Sequence, residues 1–161
     1  MRYLPSPDMR IAEFLLPDCV VPSLAASGKE AVIRELAMTL ARSIPAVSAE
    51  RLFSVLYERE KVGSTGMEKG VAIPHARLSE LPTLVACFGV SRPGIAFDAR
   101  DGRPSHFFFA LVAPENSAGL HLKALSKISR LFRSDALKDR ILVAESAAEI
   151  YKLINAEDSR A

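Results

Sequence analysis

Two uninterrupted apolar runs near the middle of the chain restrict its fold more than any other feature. They are LVACFGV at residues 84–90 and FFFALVA at residues 107–113. A strand with one face in water alternates apolar and polar residues, whereas a strand covered on both faces is apolar at successive positions. We therefore expect two central strands within 83–90 and 106–113, with helices on both sides. A shorter apolar run at 71–73 predicts a third strand.

Helical periodicity flanks these runs, which predicts a layered α/β domain. Ser48 is a candidate N-cap for the second helix, and Asn116 or Ser117 for the third. Between the two central strands, residues 91–104 hold two Pro and two Gly, which predict a turn with a short extra strand. The predicted helices cover residues 28–43, 51–60, about 117–133, 135–142 and 146–154.

Length and charge set limits on the function. The chain has 161 residues, and we expect one domain at 11–154 with poorly ordered ends at 1–10 and 155–161. A net charge of +2 is too balanced for a protein that wraps nucleic acid. No apolar run reaches the ~18 residues of a membrane span, so we expect no stable membrane insertion. Cys19 and Cys87 lie among apolar residues, which is typical of buried thiols in the reducing cytoplasm.

The segment at residues 58–77 concentrates the polar, glycine and histidine signals of the chain. Pro74 restricts itself and Ile73 to extended conformations, so His75 should be held at the stiff end of a strand. With an ordinary pKa of ~6.5, a histidine there can be a neutral nucleophile near pH 7. The alternative is a structural histidine with one ordinary hydrogen bond.

A glycine-containing loop and two cations precede His75. GSTG at residues 63–66 offers two hydroxyls, Ser64 and Thr65, and a backbone that a phosphoryl group can approach. The Gly-Lys-Ser/Thr order of a nucleotide-binding P-loop is absent, and a simple flexible turn is the alternative. Arg59 and Lys61 could neutralise an anion, although charged residues at a helix end are more often just solvated.

The two other histidines differ in their surroundings. His121 shares a helix face with the apolar Leu125, Ile128 and Phe132, so we expect it to point inward. It also lies in the first turn of its helix, where free N–H groups favour an anion. A hydrogen-bonded core histidine is the alternative. His106 opens a strand without a comparable loop nearby, and we interpret it as structural.

These residues resemble a known family. REKVGSTGMEKGVAIPHAR at residues 59–77 and HLKALSKISRLF at residues 121–132 are similar to the enzyme IIA proteins of the bacterial phosphoenolpyruvate-dependent phosphotransferase system (PTS), fructose and mannitol class. The chain resembles their nitrogen-regulatory branch most, over residues 11–154. The resemblance implies a central mixed β-sheet flanked by helices on both faces, which is the PTS enzyme IIA type-2 fold.

The resemblance also implies a phosphotransferase function and roles for individual residues. His75 matches the family's phosphorylated histidine, expected to accept the phosphoryl group on Nε2. His121 matches the second active-site histidine, which stabilises the phosphoryl group, and Arg59 matches the active-site arginine. Ser64 and Thr65 match the loop that lines the phosphate pocket. The implied donor is an HPr-type phosphocarrier protein, the recipients are regulated target proteins, and neither a metal nor another cofactor is required.

Three alternatives stay open. A sugar-specific IIA component would pass phosphate to a separate IIB protein, and a binding module would act by docking alone. A metal site built from His75, His121 and Cys87 lacks metal-ligand spacing. The segment at 120–140 holds six Lys or Arg and two Asp, a local net charge of +4, which we interpret as a solvated helix face.

Overall fold

The polypeptide folds around a mixed sheet whose faces are covered by helices. The structure is a computed structural model that describes residues 9–160. Over this range the helices are a 3-10 helix at Ile11–Glu13, α1 at Lys29–Ala41, α2 at Ala49–Val62, α3 at Ala118–Leu131, α4 at Asp135–Val143 and α5 at Ala147–Arg160. The strands are β1 at Leu15–Val21, β2 at Val71–Ala72, β3 at His75–Leu78, β4 at Val85–Ile95 and β5 at Ser105–Pro114.

The central pair of strands is an antiparallel hairpin made by β4 and β5. β1 lies parallel to β4 on one side, and β2 and β3 lie end to end along β5 on the other side, both parallel to it. Proline has no N–H to donate, so within a sheet it can form a backbone hydrogen bond only through its carbonyl oxygen. Pro74 accepts a hydrogen bond in this way from the backbone N of Leu111 at 2.9 Å. His75 therefore begins β3 directly opposite Leu111.

Two adjacent residues of β4 show that both faces of the sheet are covered. Cys87 Sγ donates to the carbonyl oxygen of Leu36 in α1 at 3.5 Å. The ring of Phe88 stacks on Phe132, just after α3, with 5.2 Å between the ring centroids. Because successive side chains of a strand point to opposite faces, α1 and α3 lie on opposite sides of the sheet. This confirms the predicted mixed sheet flanked by helices on both faces.

The first four predicted helices are present with ends that differ by about two residues. Ser48 caps α2, since its Oγ accepts a hydrogen bond from the backbone N of Arg51 at 3.1 Å. Ser117 is the N-cap residue of α3, but its hydroxyl donates to the carbonyl of Pro114 at 2.7 Å and does not cap the helix. The predicted extra strand within 91–104 is an extension of β4 to Ile95, which pairs with Ser105.

Strand β1 was not predicted, because Pro17 interrupts its pattern. Proline is tolerated in edge strands and at bulges, where its missing N–H leaves no ladder partner unsatisfied. β1 lies at the edge of the sheet, and its pairing with β4 is irregular between Leu15 and Val20. Residues 16–18 of this irregular stretch are exposed, so the proline occupies the part of the strand that faces solvent.

The ends of the described chain are more ordered than the sequence predicts. α5 continues to Arg160, which corrects the expected tail at 155–161 as far as that residue. Asp158 is a buried carboxylate, and two contacts stabilise it there. It accepts a hydrogen bond from the backbone N of Ile11 at 2.8 Å and pairs with Lys127 Nζ at 2.8 Å. The predicted flexible segment at 1–10 lies outside the described residues except for Met9, which is buried, and Arg10, which donates to the carbonyl of Asp158.

Among the helices within residues 9–160, none is long and apolar enough to cross a membrane.

Candidate active site

The ring of His75 is oriented by the backbone immediately before it. Its Nδ1 lies 2.7 Å from the carbonyl oxygen of Ile73. A carbonyl oxygen can only accept, so Nδ1 must carry a proton and donate it. In the neutral imidazole, the other nitrogen, Nε2, then keeps an unprotonated lone pair. The half-buried His75 is thus fixed in the tautomer in which the lone pair of Nε2 is free.

His121 faces His75 across the pocket. It lies in the first turn of α3, is 8% exposed, and its ring meets that of His75 edge to face with 5.2 Å between centroids. Its Nε2 is buried without a hydrogen-bond partner among the described residues. The inward orientation predicted from helical spacing agrees with this position. A buried nitrogen without a partner is unusual in a folded protein and is compatible with a ligand-binding role.

Burial and neighbouring cations keep both histidines neutral. Burial is the main cause that lowers the pKa of His121, to about 4, and the charges of His75, Arg77 and Arg59 add to it. Burial also lowers the pKa of His75 below its ordinary value. The hydrogen bond to Ile73 opposes that shift, and Arg59 reinforces it. Near pH 7 both rings are therefore uncharged, which a nucleophilic nitrogen requires.

We expect a pH titration followed by nitrogen-15 NMR to show the tautomer of His75 and the lowered pKa of His121. Neutral His75 should appear as the Nδ1–H tautomer, and His121 should protonate near pH 4. Because the folded pKa lies below the unfolded value of ~6.5, the unfolded chain binds more protons between these values. His121 should therefore lower the free energy of unfolding as pH falls from ~6.5 toward 4. An Nε2–H tautomer for His75, or ordinary titration of His121, would contradict this geometry.

Two arginines supply positive charge to the same pocket. Arg59, near the end of α2, donates from Nη1 to the carbonyl of Gly63 at 2.9 Å. Arg77 lies two residues after His75 on β3, hence on the same face of the strand. Arg59 and Arg77 line a cavity of about 750 Å3 together with His75 and His121. Arg77 was not predicted from the sequence, although its spacing of two from His75 is a signal. Lys61 instead pairs with the exposed Glu58 at 3.0 Å.

The hydroxyls of the glycine-containing loop are already engaged within the protein. Ser64 Oγ donates to the carbonyl of Phe97 at 2.8 Å and accepts from the backbone N of Gly66. Thr65 Oγ1 donates to Glu60 Oε2 at 2.5 Å. A hydroxyl has a single proton to donate. Ser64 and Thr65 line a cavity beside His75, where their hydroxyl protons hold the loop, and their phosphate-binding role stays a prediction.

Glu60 is a buried carboxylate that sequence reasoning missed. It accepts hydrogen bonds from the backbone N and the Oγ1 of Thr65 and pairs with Lys29 Nζ at 3.1 Å. The Thr65 carbonyl in turn accepts from the backbone N of Ile73, whose carbonyl accepts from His75. A continuous series of hydrogen bonds therefore runs from Glu60 to the ring of His75. The sequence signal for the burial of Glu60 was its spacing, because Glu60 follows the apolar Leu52 and Leu56 at intervals of four.

The alternative metal site does not assemble. Cys87 donates to Leu36 on the α1 face of the sheet and does not line the cavity that holds His75 and His121. Within residues 9–160, no group of three His, Cys, Asp or Glu side chains is arranged to hold a metal ion. His106 is also apart from the site, with its Nδ1 3.0 Å from the carbonyl of Ser91 and its ring against Gly94, as a structural histidine should be.

Comparison with known proteins gives consistent matches. Residues 13–157 match the family described as "Phosphoenolpyruvate-dependent sugar phosphotransferase system, EIIA 2". A nitrogen regulatory protein of Bradyrhizobium diazoefficiens is 35% identical over 91% of this chain and 95% of its own length. The fructose-specific EIIABC component of Bacillus subtilis is 31% identical over 93% of this chain but only 24% of its own length. The crystal structure of nitrogen regulatory protein IIA-Ntr from Neisseria meningitidis has a TM-score of 0.83 and 33% identity, covering 89% of this chain and 98% of that one.

Proposed function

The chain belongs to the EIIA 2 family of the phosphoenolpyruvate-dependent sugar phosphotransferase system, and from this membership and the pocket geometry we propose that it is a histidine phosphocarrier. An HPr-type protein delivers a phosphoryl group to Nε2 of His75, and the phosphorylation state regulates partner proteins. The observation that carries the proposal is the hydrogen bond from His75 Nδ1 to the Ile73 carbonyl, because it leaves Nε2 as the free nucleophile.

The transfer requires one bond to form and one to break. The lone pair of His75 Nε2 attacks phosphorus in line with the nitrogen of the donor imidazole, and the donor P–N bond breaks with its electron pair returning to the donor ring. The His75 ring becomes cationic as the new P–N bond forms. Its Nδ1–H bond to the Ile73 carbonyl is then charge-assisted, which stabilises the product. No proton has to move during this step.

The other pocket residues stabilise the phosphoryl oxygens. Arg59 and Arg77 line the cavity and offset the negative charge on the equatorial oxygens. The neutral ring of His121, with its unpartnered Nε2, offers a donor from the opposite wall. The exposed Leu122, next to His121, gives the rim of the cavity an apolar contact for a protein partner.

The nitrogen-regulatory function is favoured over the sugar-specific alternative by the relatives. The nitrogen regulatory proteins of Bradyrhizobium diazoefficiens and Neisseria meningitidis match this chain over nearly their whole lengths. Phosphorylation adds a charge of about −2 to a pocket with two arginines, which supplies the difference that a regulated partner can recognise.

Donor-dependent phosphorylation tests the proposal directly. The protein is incubated with phosphoenolpyruvate, enzyme I and an HPr-type protein, and its intact mass is measured. We expect one acid-labile phosphoryl group, absent when the HPr-type protein is omitted. A donor system that phosphorylates a related IIA protein but leaves this chain unmodified would contradict the proposal. Transfer onward to a fructose-type IIB protein would favour the sugar-specific alternative.

The variant His121→Ala should accept the phosphoryl group at least about tenfold more slowly, because a donor to its oxygens is lost. His121→Asn keeps an N–H donor and should recover part of the rate. Lys123→Ala is the control, since Lys123 is exposed on the same helix and lines none of the cavities described above. Rates are measured by quenched-flow mass analysis. A wild-type rate for His121→Ala would return His121 to a structural role.

A further inference from the structure

A third, strongly cationic cavity lies next to the one that Ser64 and Thr65 line beside His75. It has a volume of about 310 Å3 and an apolar floor that includes the buried Val71 and Phe132. Its polar lining contains four cationic side chains, and we call it the basic pocket: Lys69, Arg100, Arg133 and Lys138. It adjoins the cavity beside His75, since Met67, Arg100 and Ser129 line both.

Lys138 is the least expected of these side chains, because it is a buried cation whose one ion-pair partner among the described residues, Asp135, is exposed. Lys138 itself is 6% exposed. Its Nζ lies 3.3 Å from the carbonyl oxygen of Lys69 and 3.4 Å from Asp135 Oδ1, both long for contacts of an ammonium. The Asp135 side chain is itself 75% exposed, so its charge is largely screened by water. An ammonium can donate three hydrogen bonds, and a buried one requires an anion or several good acceptors.

The backbone at the rim of the basic pocket is held in an unusual conformation. Lys69 has a φ of 59°, in the left-handed region that side chains with a Cβ rarely adopt, and Gly70 follows with a φ of 80°. The turn is fixed by hydrogen bonds, since Lys69 N donates to Asp101 Oδ2 at 3.0 Å and Lys69 O accepts from Lys138. Strained backbone of this kind occurs where a site requires a particular orientation.

The lining of the basic pocket holds four cations and one carboxylate, Glu68. Lys69, Arg100 and Arg133 form no ion pair with any other described residue, and all three are exposed at the rim. Three further carboxylates lie around the pocket: Asp135 pairs with Lys138, Asp101 accepts from the backbone N of Lys69, and Asp139 lines a neighbouring cavity with Lys69 and Lys138. Arginine guanidinium groups match the geometry of phosphate oxygens. The apolar floor can cover a short carbon skeleton, and the volume is at the small end of ligand sites.

We propose that the basic pocket binds a small phosphorylated metabolite, a phosphate ester on a short carbon skeleton. Lys138 and the two arginines hold the phosphate, and Val71 and Phe132 contact the carbon chain. The site is separate from the chemistry of His75 and does not depend on it. It also changes the interpretation of the segment at 120–140, because Arg133 and Lys138 belong to a site and not to a solvated helix face.

Binding is tested by NMR titration of the isotope-labelled protein with ribose 5-phosphate, inorganic phosphate and ribose as probes. We expect saturable shifts at the amides around Gly70, Ser129 and Lys138 with ribose 5-phosphate. Inorganic phosphate should bind the same amides more weakly, and ribose should not bind. The variant His75→Ala should bind like the wild type, so a failure of the proposed phosphotransfer would leave this result unchanged.

Variants of the exposed arginines establish which residues hold the phosphate. Arg100→Gln and Arg133→Gln should each weaken ribose 5-phosphate binding at least about tenfold. Arg140→Gln, on the same helix as Lys138 but outside the pocket, should stay within about twofold. Three outcomes would overturn the proposal: no saturation with any small phosphate, equal affinity in the arginine variants, or binding restricted to polyanions such as acidic peptides.

Discussion

The variant His75→Ala is expected to accept no phosphoryl group from the donor system that modifies the wild-type protein. The reason is specific to its position, because His75 combines a free Nε2 lone pair, a neutral ring and two adjacent arginines. His121 cannot replace it, since its Nε2 is buried and lies on the wall opposite. Phosphoryl incorporation is measured by intact mass after incubation with phosphoenolpyruvate, enzyme I and the HPr-type protein.

A matched histidine variant separates this loss from a general defect. His106→Gln removes the structural histidine, whose Nδ1 lies 3.0 Å from the Ser91 carbonyl, and should retain full incorporation. Both variants are checked for folding by thermal denaturation. His75→Ala should be folded, because the ring it removes is only half buried and has one hydrogen bond. Stoichiometric phosphorylation of folded His75→Ala would show that another residue is the acceptor.

The variant Glu60→Ala should lower the free energy of unfolding by roughly 2–4 kcal/mol, the cost of leaving buried partners of a carboxylate unpaired. Both donors of Thr65 lose their acceptor, and Lys29 loses its contact with a buried charge. Phosphoryl transfer should slow as well, since the loop that holds Ile73 and thereby the ring of His75 is released. Chemical denaturation gives the stability, and the mass assay gives the rate.

Two further variants distinguish positioning of His75 from simple stability. Glu58→Ala, two residues earlier on α2, removes an exposed carboxylate whose one ion-pair partner among residues 9–160 is Lys61, and it should change stability by less than about 0.5 kcal/mol. Glu60→Gln keeps the shape and one acceptor oxygen, so it should recover part of both losses. In Glu60→Ala the NMR signature of the His75 Nδ1–H tautomer should weaken. An unchanged tautomer and rate would leave Glu60 as a purely structural residue.

Most of the fold could be predicted because its signals are local. The uninterrupted runs at 84–90 and 107–113 require cover on both faces, and the periodic segments around them supply the helices. β1 could not be predicted in this way. Its sequence is interrupted by Pro17, and what makes it a strand is pairing with β4, some seventy residues later. The helical conformation of residues 155–160 could not be predicted for a similar reason, since Asp158 is stabilised by contacts with Ile11 and Lys127.

The site was predictable in part. The stiff Ile73–Pro74 step indicated the position of His75, and helical spacing indicated the inward orientation of His121. The 5.2 Å separation of the two rings depends on how α3 packs over β5, which no local pattern contains. The phosphate-binding role of Ser64 and Thr65 rests on their hydroxyls and on the family resemblance, and it stays a prediction. The hydrogen bonds that their hydroxyls donate to Phe97 and Glu60 are visible only in the folded chain.

The most direct test of His75 as the phosphoryl acceptor is to locate the phosphoryl group on the modified protein. Phosphorylated protein labelled with nitrogen-15 is examined by NMR spectra that correlate the ring nitrogens of each histidine with its ring protons. The proposed mechanism places phosphorus on Nε2 of His75, with Nδ1 still protonated and hydrogen-bonded to the Ile73 carbonyl. Phosphorus on Nδ1 of His75, or on His121 or His106, would contradict it.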